Sequence, residues 1–170
     1  KEDLESMRLL AKEYDGPIAI RYPRGRSING VGDGKLTIGK GICLKEGSKV
    51  AVLSIGAMGN TVADAIEALG EKAEQVAHYD MRWLKPIDEE LLHTVGKTFD
   101  TIITVEDGMI SGGLGSAVLE FMADNGYTPR VIRLGVNDQF VEHGSTKELY
   151  QLLKLDKEGI CESLLQALEQ

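Results

Sequence analysis

Arg21 and Arg24 bracket a Tyr-Pro pair in Arg21-Tyr22-Pro23-Arg24-Gly25. Guanidinium groups spaced this way, just after the apolar run Ile18-Ala19-Ile20, can converge on one anion. The planar, multi-donor fork of arginine suits phosphate or carboxylate. Two solvated arginines at an edge are the alternative. Two glycine-rich turns offer a second kind of anion grip, through backbone amides at a helix start. They are Gly56-Ala57-Met58-Gly59-Asn60 and Gly112-Gly113-Leu114-Gly115-Ser116. Either can equally be a tight connection or a place where a helix packs closely on a strand. The second lacks the Gly-x-Gly-x-x-Gly spacing of a dinucleotide turn, and no acidic residue follows at the required distance.

Acid, base and metal chemistry have fewer candidates. Glu106-Asp107 lies at the end of an apolar run, where open α/β sheets place their sites. The two carboxylates can bind a cation, exchange protons, cap the following loop or meet a partner. His143, in Phe140-Val141-Glu142-His143-Gly144, is a candidate proton shuttle or interface hydrogen-bonder. No serine or cysteine elbow accompanies it. His78 and His93 fall within a strand and a helix pattern and read as packing or surface residues. Gly32-Asp33-Gly34, with Asn60 further on, has the spacing of a thiamine diphosphate and metal signature. That signature needs a strand before the triplet and a helix after it; the surrounding residues offer neither, so these residues are not assigned to a metal.

The elements that must position these groups are legible from periodicity. Leu4, Met7, Leu10 and Ala11 predict a helix over 3–13, ended by Asp15-Gly16-Pro17. Residues 18–22 read as a short strand. Between 25 and 41, six of 17 positions are glycine, which predicts a linker. Strands are then expected at 50–55, 75–79, 101–105 and 130–134. Helices are expected at 61–69, after an N-cap at Asp88, at 115–125, from the cap Ser145 to about 153, and at 156–168. Alternating strands and helices imply right-handed crossovers. The fold class is therefore α/β: a three-layer α/β/α unit with a mostly parallel sheet of about five strands, preceded by a helix-strand remnant of another domain. The boundaries read 1–25, 26–45 for the linker and 46–170.

Bulk properties narrow the function. The 170 residues carry a formal net charge of −8 and 42% apolar residues. That disfavours binding to nucleic acid or anionic membrane, which wants a basic face. No apolar run approaches the roughly 18 residues of a membrane helix. Cys43 and Cys161 are too few and too far apart for a disulfide scaffold and read as reduced thiols. The opening Lys1-Glu2-Asp3-Leu4 reads as the middle of a helix, so an upstream segment is expected.

Four stretches together resemble the 1-deoxy-D-xylulose-5-phosphate synthase family in order and spacing: Gly16 to Gly25; Asp80-Met81-Arg82-Trp83-Leu84-Lys85-Pro86-Ile87-Asp88; Thr104 to Gly108 with Gly112 to Ser116; and Phe140 to Gly144. The resemblance covers essentially the whole chain. It implies a transketolase-like C-terminal domain preceded by the end of the pyrimidine-binding domain. The implied parent is a three-domain, cytoplasmic (plastid, if eukaryotic) homodimer. It uses thiamine diphosphate and Mg²⁺ to condense pyruvate with glyceraldehyde 3-phosphate, releasing carbon dioxide, and feeds isoprenoid, thiamine and pyridoxal synthesis. The cofactor motif and the activating glutamate of the family belong upstream, so no catalytic, cofactor or metal residue transfers to this chain, and none of these groups is expected on it alone.

One role does transfer. The last arginine of the family's Tyr-Pro-Arg-Gly segment helps hold the aldehyde's phosphate, which implies that role for Arg24, with Arg21 in support. Asn137 stands where the family commonly has proline, and Asp107 where it commonly has glutamate. Two other kinds of parent, a transketolase or a 2-oxoacid dehydrogenase β-subunit, share parts of the pattern. The Tyr-Pro-Arg-Gly segment argues against the second. A stand-alone anion- or nucleotide-binding module is the alternative of a different class.

Overall fold

The computed structural model describes residues 2–23 and 35–169. Five strands form one sheet: β1 (Ile42–Lys45), β2 (Val50–Ser54), β3 (Val76–Asp80), β4 (Thr101–Met109) and β5 (Arg130–Val136). Their spatial order is β1-β3-β2-β4-β5. β3, β2, β4 and β5 run parallel, and β1 is antiparallel to β3 at one edge.

Every residue of β2 and of β3 is buried. A strand covered on both faces has no need to alternate in polarity, which is why Val50 to Leu53 reads as a continuous apolar run, while β3 buries His78 and Asp80 among its apolar residues. Their side chains still alternate in direction. Val50, Val52, Ile103 and Val105 pack with α2 (Met58–Glu67) and α6 (Lys157–Leu168). Ala51, Leu53 and Ile102 pack with α3 (Glu89–Thr98) and α4 (Leu114–Asp124). The result is the expected three layers.

The chain leaves β2 through α2 toward β3, then crosses through α3 to β4 on the other side of β2. Strand order therefore reverses between β2 and β4, and their carboxyl ends flank a crevice where open α/β sheets bind ligands.

Caps set the helix starts. The Asp88 side chain accepts the Leu91 amide. The same carboxylate accepts the Gly41 amide at 3.0 Å and faces Lys40 Nζ at 3.5 Å, so it also fixes the chain as it enters the sheet. Ser145 and Glu148 form a reciprocal capping box on α5 (Thr146–Leu152). Asp156 accepts the Gly159 amide at 3.0 Å and caps α6.

Three sequence expectations need correction. Residues 42–45, read as part of the linker, are an edge strand. Its register slips between Cys43 and Lys45, an irregularity that helps blunt an exposed edge. Residues 18–22 form no strand: α1 (Glu2–Glu13) is followed by a segment without ladder pairing up to Pro23. β-propensity needs a neighbouring edge, and none is offered there. Finally, α2 begins at Met58, three residues before the expected Thr61.

Candidate anion site at the carboxyl edge of the sheet

β4 does not stop at Val105. Its register with β5 shifts between Val105 and Met109, so Glu106, Asp107 and Gly108 form an irregular step before pairing resumes at Met109 and Val136. Such a step re-aims side chains at the end of a sheet.

The Glu106 carboxylate turns inward and is buried. It accepts the Leu114 amide at Oε2 and the Gly115 amide at Oε1, both at 2.9 Å. An anion-binding helix start is thus filled by the protein's own carboxylate. The glycines make this fit. A Cβ on Gly113 would lie 2.0 Å from Glu106 Oε2, and one on Gly115 would lie 2.7 Å from Thr104 Oγ1. Gly112–Ser116 is therefore a close helix-to-strand contact, with no opening for an external phosphate at those two amides.

Gly108 is close to Arg21. A Cβ at Gly108 would sit 3.0 Å from Arg21 Nη1 and 3.4 Å from Glu106 Oε2. The guanidinium thus rests where a side chain on Gly108 would have to go. Arg21 is exposed and makes no hydrogen bond or ion pair among the described residues. The half-buried Tyr150, on α5, faces the same spot. Burial first, and then the Asp107 charge, push its phenol up to about 12, while Arg21 pulls the other way. A single exposed guanidinium is a poor anion site, because water screens its field. A second cation would strengthen it. Arg24 is the sequence's candidate for it, but lies outside the described residues, as do Gly32, Asp33 and Gly34.

The other candidates fall elsewhere. Gly56–Asn60 joins β2 to α2, with Ala57 at the N-cap position and no side-chain cap. His143 is exposed and makes no hydrogen bond among the described residues; the neighbouring Phe140 projects fully into solvent. His93 packs against Phe121, with ring centroids 4.9 Å apart, and its Nδ1 lies 2.9 Å from the Tyr127 hydroxyl. Cys43 and Cys161 are free thiols.

Two buried polar groups have partners that the sequence did not name: His78, read as a packing or surface residue, and Asp80. His78 Nε2 pairs with Ser54 Oγ at 2.8 Å between β3 and β2, and burial pushes this imidazole down to about 4. At the end of β3, burial pushes Asp80 up to about 6 against the opposing pull of the Arg82 amide and charge. The Arg82 amide donates to Asp80 Oδ1 at 3.1 Å. The sequence signal was present, since Asp80 and Arg82 stand in one of the four motif stretches, but the motif names no partner.

Thiamine diphosphate and Mg²⁺ do not fit the described residues. Among them no three His, Cys, Asp or Glu side chains converge as a metal cage. The amides that open α4 are already taken by Glu106. Among the described residues no helix is long and apolar enough to cross a membrane.

A five-stranded sheet of this order, with its carboxyl edge built around a capped α4, defines a class. The family model for the transketolase C-terminal domain matches residues 39–160, and the chain belongs to that family. Its curated relatives are more particular. 1-Deoxy-D-xylulose-5-phosphate synthase of Parabacteroides distasonis is 56% identical over 159 residues, 89% of this chain and 24% of the relative. The enzyme of the same name from Porphyromonas gingivalis is 49% identical over 166 residues, 94% of this chain and 26% of the relative. The chain thus spans about a quarter of the length of these relatives. Among solved structures, a split-gene transketolase described as an inactive β4 tetramer aligns with a TM-score of 0.86 at 31% identity. That alignment covers 96% of this chain and 54% of the other. The Campylobacter jejuni transketolase, at 15% identity and a TM-score of 0.54, shares the fold.

Proposed function

We propose that this chain is the C-terminal part of a thiamine-diphosphate- and Mg²⁺-dependent synthase that condenses pyruvate with glyceraldehyde 3-phosphate to 1-deoxy-D-xylulose 5-phosphate, with loss of carbon dioxide. The observation that carries this reading is the 56% identity to a synthase of that name across 89% of the chain. In the whole enzyme the cofactor supplies the electron sink for carbon–carbon bond formation. This chain contributes a folded C-terminal domain, residues 46–170 together with the edge strand β1 at Ile42–Lys45, and the end of the pyrimidine-binding domain, residues 1–25. The domain helps form a cytoplasmic homodimer, and the chain alone is inactive.

The residues assigned to substrate are Arg24, with Arg21 in support. Arg24 carries the family's position. Arg21 is exposed, close to Gly108, and makes no contact-range ion pair with any described residue. Together they hold the aldehyde's phosphate through charge-assisted hydrogen bonds, each worth about 1.5–3 kcal/mol. The test is Arg24→Ala in the full-length enzyme. KM for glyceraldehyde 3-phosphate should rise roughly ten- to a hundredfold while KM for pyruvate stays put. An unchanged aldehyde KM removes the assignment.

A second reading has its own support. The split-gene transketolase aligns over almost the entire chain. Assaying the full-length parent with pyruvate plus glyceraldehyde 3-phosphate separates the two.

A further inference from the structure

The carboxyl end of β3 carries a second arginine, used in the opposite way to Arg21. Arg82 follows Asp80 by two residues and adopts a left-handed backbone, with φ of +54°. A residue with a Cβ enters that region at a cost and stays there only when its surroundings hold it. Its side chain is 2% exposed. Nη1 donates to the Lys35 carbonyl at 2.8 Å, Nη2 donates to Asp3 Oδ1 at 3.3 Å, and Nε lies 3.9 Å from Asp80 Oδ2. These acceptors belong to three parts of the chain. Asp80 ends β3, Asp3 sits in the first turn of α1, and Lys35 lies where the chain returns toward the sheet.

α1 has no fully buried residue: its apolar stripe, Leu4, Met7, Leu10 and Ala11, is only half-buried. A stripe covered only in part leaves the orientation of the helix to be set by a polar fixing point as well. We infer that Arg82 is the docking point through which the C-terminal sheet holds the N-terminal helix and the returning chain in place. The guanidinium sends Nη1 and Nη2 to two acceptors in fixed, divergent directions while its charge faces Asp80; an ammonium on a flexible stem lacks that fixed fork. The left-handed turn at Arg82 fits this requirement, since β3 must end and aim a long side chain at groups outside the sheet. The inference stands on these contacts and is independent of the reaction proposed above.

The test is amide hydrogen exchange on the 170-residue chain, comparing peptides from α1 with peptides from β2 and β4. The variants are Arg82→Lys, Asp3→Asn and the two combined. Each single change should speed exchange in α1 roughly tenfold or more while β2 and β4 keep their protection. The double variant should be little worse than Arg82→Lys, because both remove one shared contact. Asp3→Asn leaves the sheet interior untouched, so it reports even where Arg82→Lys disturbs the fold. The inference is overturned by an α1 that is unprotected in the unaltered chain. Unchanged α1 exchange in Asp3→Asn, or independent effects of the two changes in the double variant, would overturn it equally.

Discussion

Two arginines, one just past the end of β3 and one beside the end of β4, do different work. Arg82 is buried and binds acceptors from three chain segments. Arg21 is exposed, has no acceptor among the described residues and lies over the one position beside it that lacks a side chain. The difference teaches how to sort charged residues at a sheet edge. A buried guanidinium engaged by the protein's own acceptors is architecture, whereas one held near the edge with its donors unspent is available to a ligand.

Removing each arginine should break the comparison most sharply if it is wrong. Arg82→Ala leaves Asp80 buried without its cation and should cost roughly 3–5 kcal/mol. Arg21→Ala, at an exposed position, should stay within about 0.5 kcal/mol of the unaltered chain. Urea denaturation of both variants measures this. Equal losses would erase the distinction.

Acid sharpens it next. His78 sits near 4 when folded, below its ordinary 6.5, so as pH falls below 6.5 the unfolded chain takes up a proton that the folded chain refuses. That destabilises the fold, by about 3 kcal/mol on reaching pH 4 at 1.36 kcal/mol per unit. Asp80 sits near 6, above its ordinary 3.8, so between those values the folded chain takes the proton first. That stabilises the fold, by about 3 kcal/mol over the same interval. The two contributions oppose each other. Asp80→Asn should expose the loss as pH falls from 6.5 to 4, and His78→Gln should expose the gain. Denaturation midpoints at pH 7, 5.5 and 4 check both signs. Two variants with parallel profiles would mean that these groups do not titrate as described.

The smallest effect tests the seat of Arg21. In Gly108→Ala the new methyl meets the mobile tip of Arg21 at 3.0 Å, so the tip should shift aside with little loss of stability. In the full-length enzyme the aldehyde KM should rise by roughly three- to tenfold, with the pyruvate KM unchanged. No change in either constant would detach Arg21 from the substrate.

Much of this fold could be read from residue order, for identifiable reasons. β2 announces itself as an unbroken apolar run, Val50 to Leu53, because both of its faces are covered. Asp88 and Ser145 announce helix starts because a capping carboxylate or hydroxyl works through its nearest neighbours. What stayed hidden depends on partners distant in sequence. Ile42–Lys45 is four residues long and becomes a strand only because β3 offers an edge. Ile18–Tyr22 has the composition of a strand and lacks a pairing neighbour among the described residues. Gly56 through Gly59 disguise the start of α2, since glycines beside Ala57 and Met58 read as a turn. In the candidate site Arg21 was legible from its type and spacing. Its seat was not, because Gly108 and Tyr150 reach it only through the crossover topology. Arg82 escaped for the same reason: its role is defined by Asp3 and Lys35.

The Asp88 carboxylate serves two masters. One oxygen starts α3 through the Leu91 amide, and the other grips the Gly41 amide just before β1. Peeling β1 from its edge would therefore tug on the first turn of α3, and melting that turn would loosen β1. One margin of the sheet and a helix on its face are coupled by one side chain, so they should open together under heat or force as a single unit.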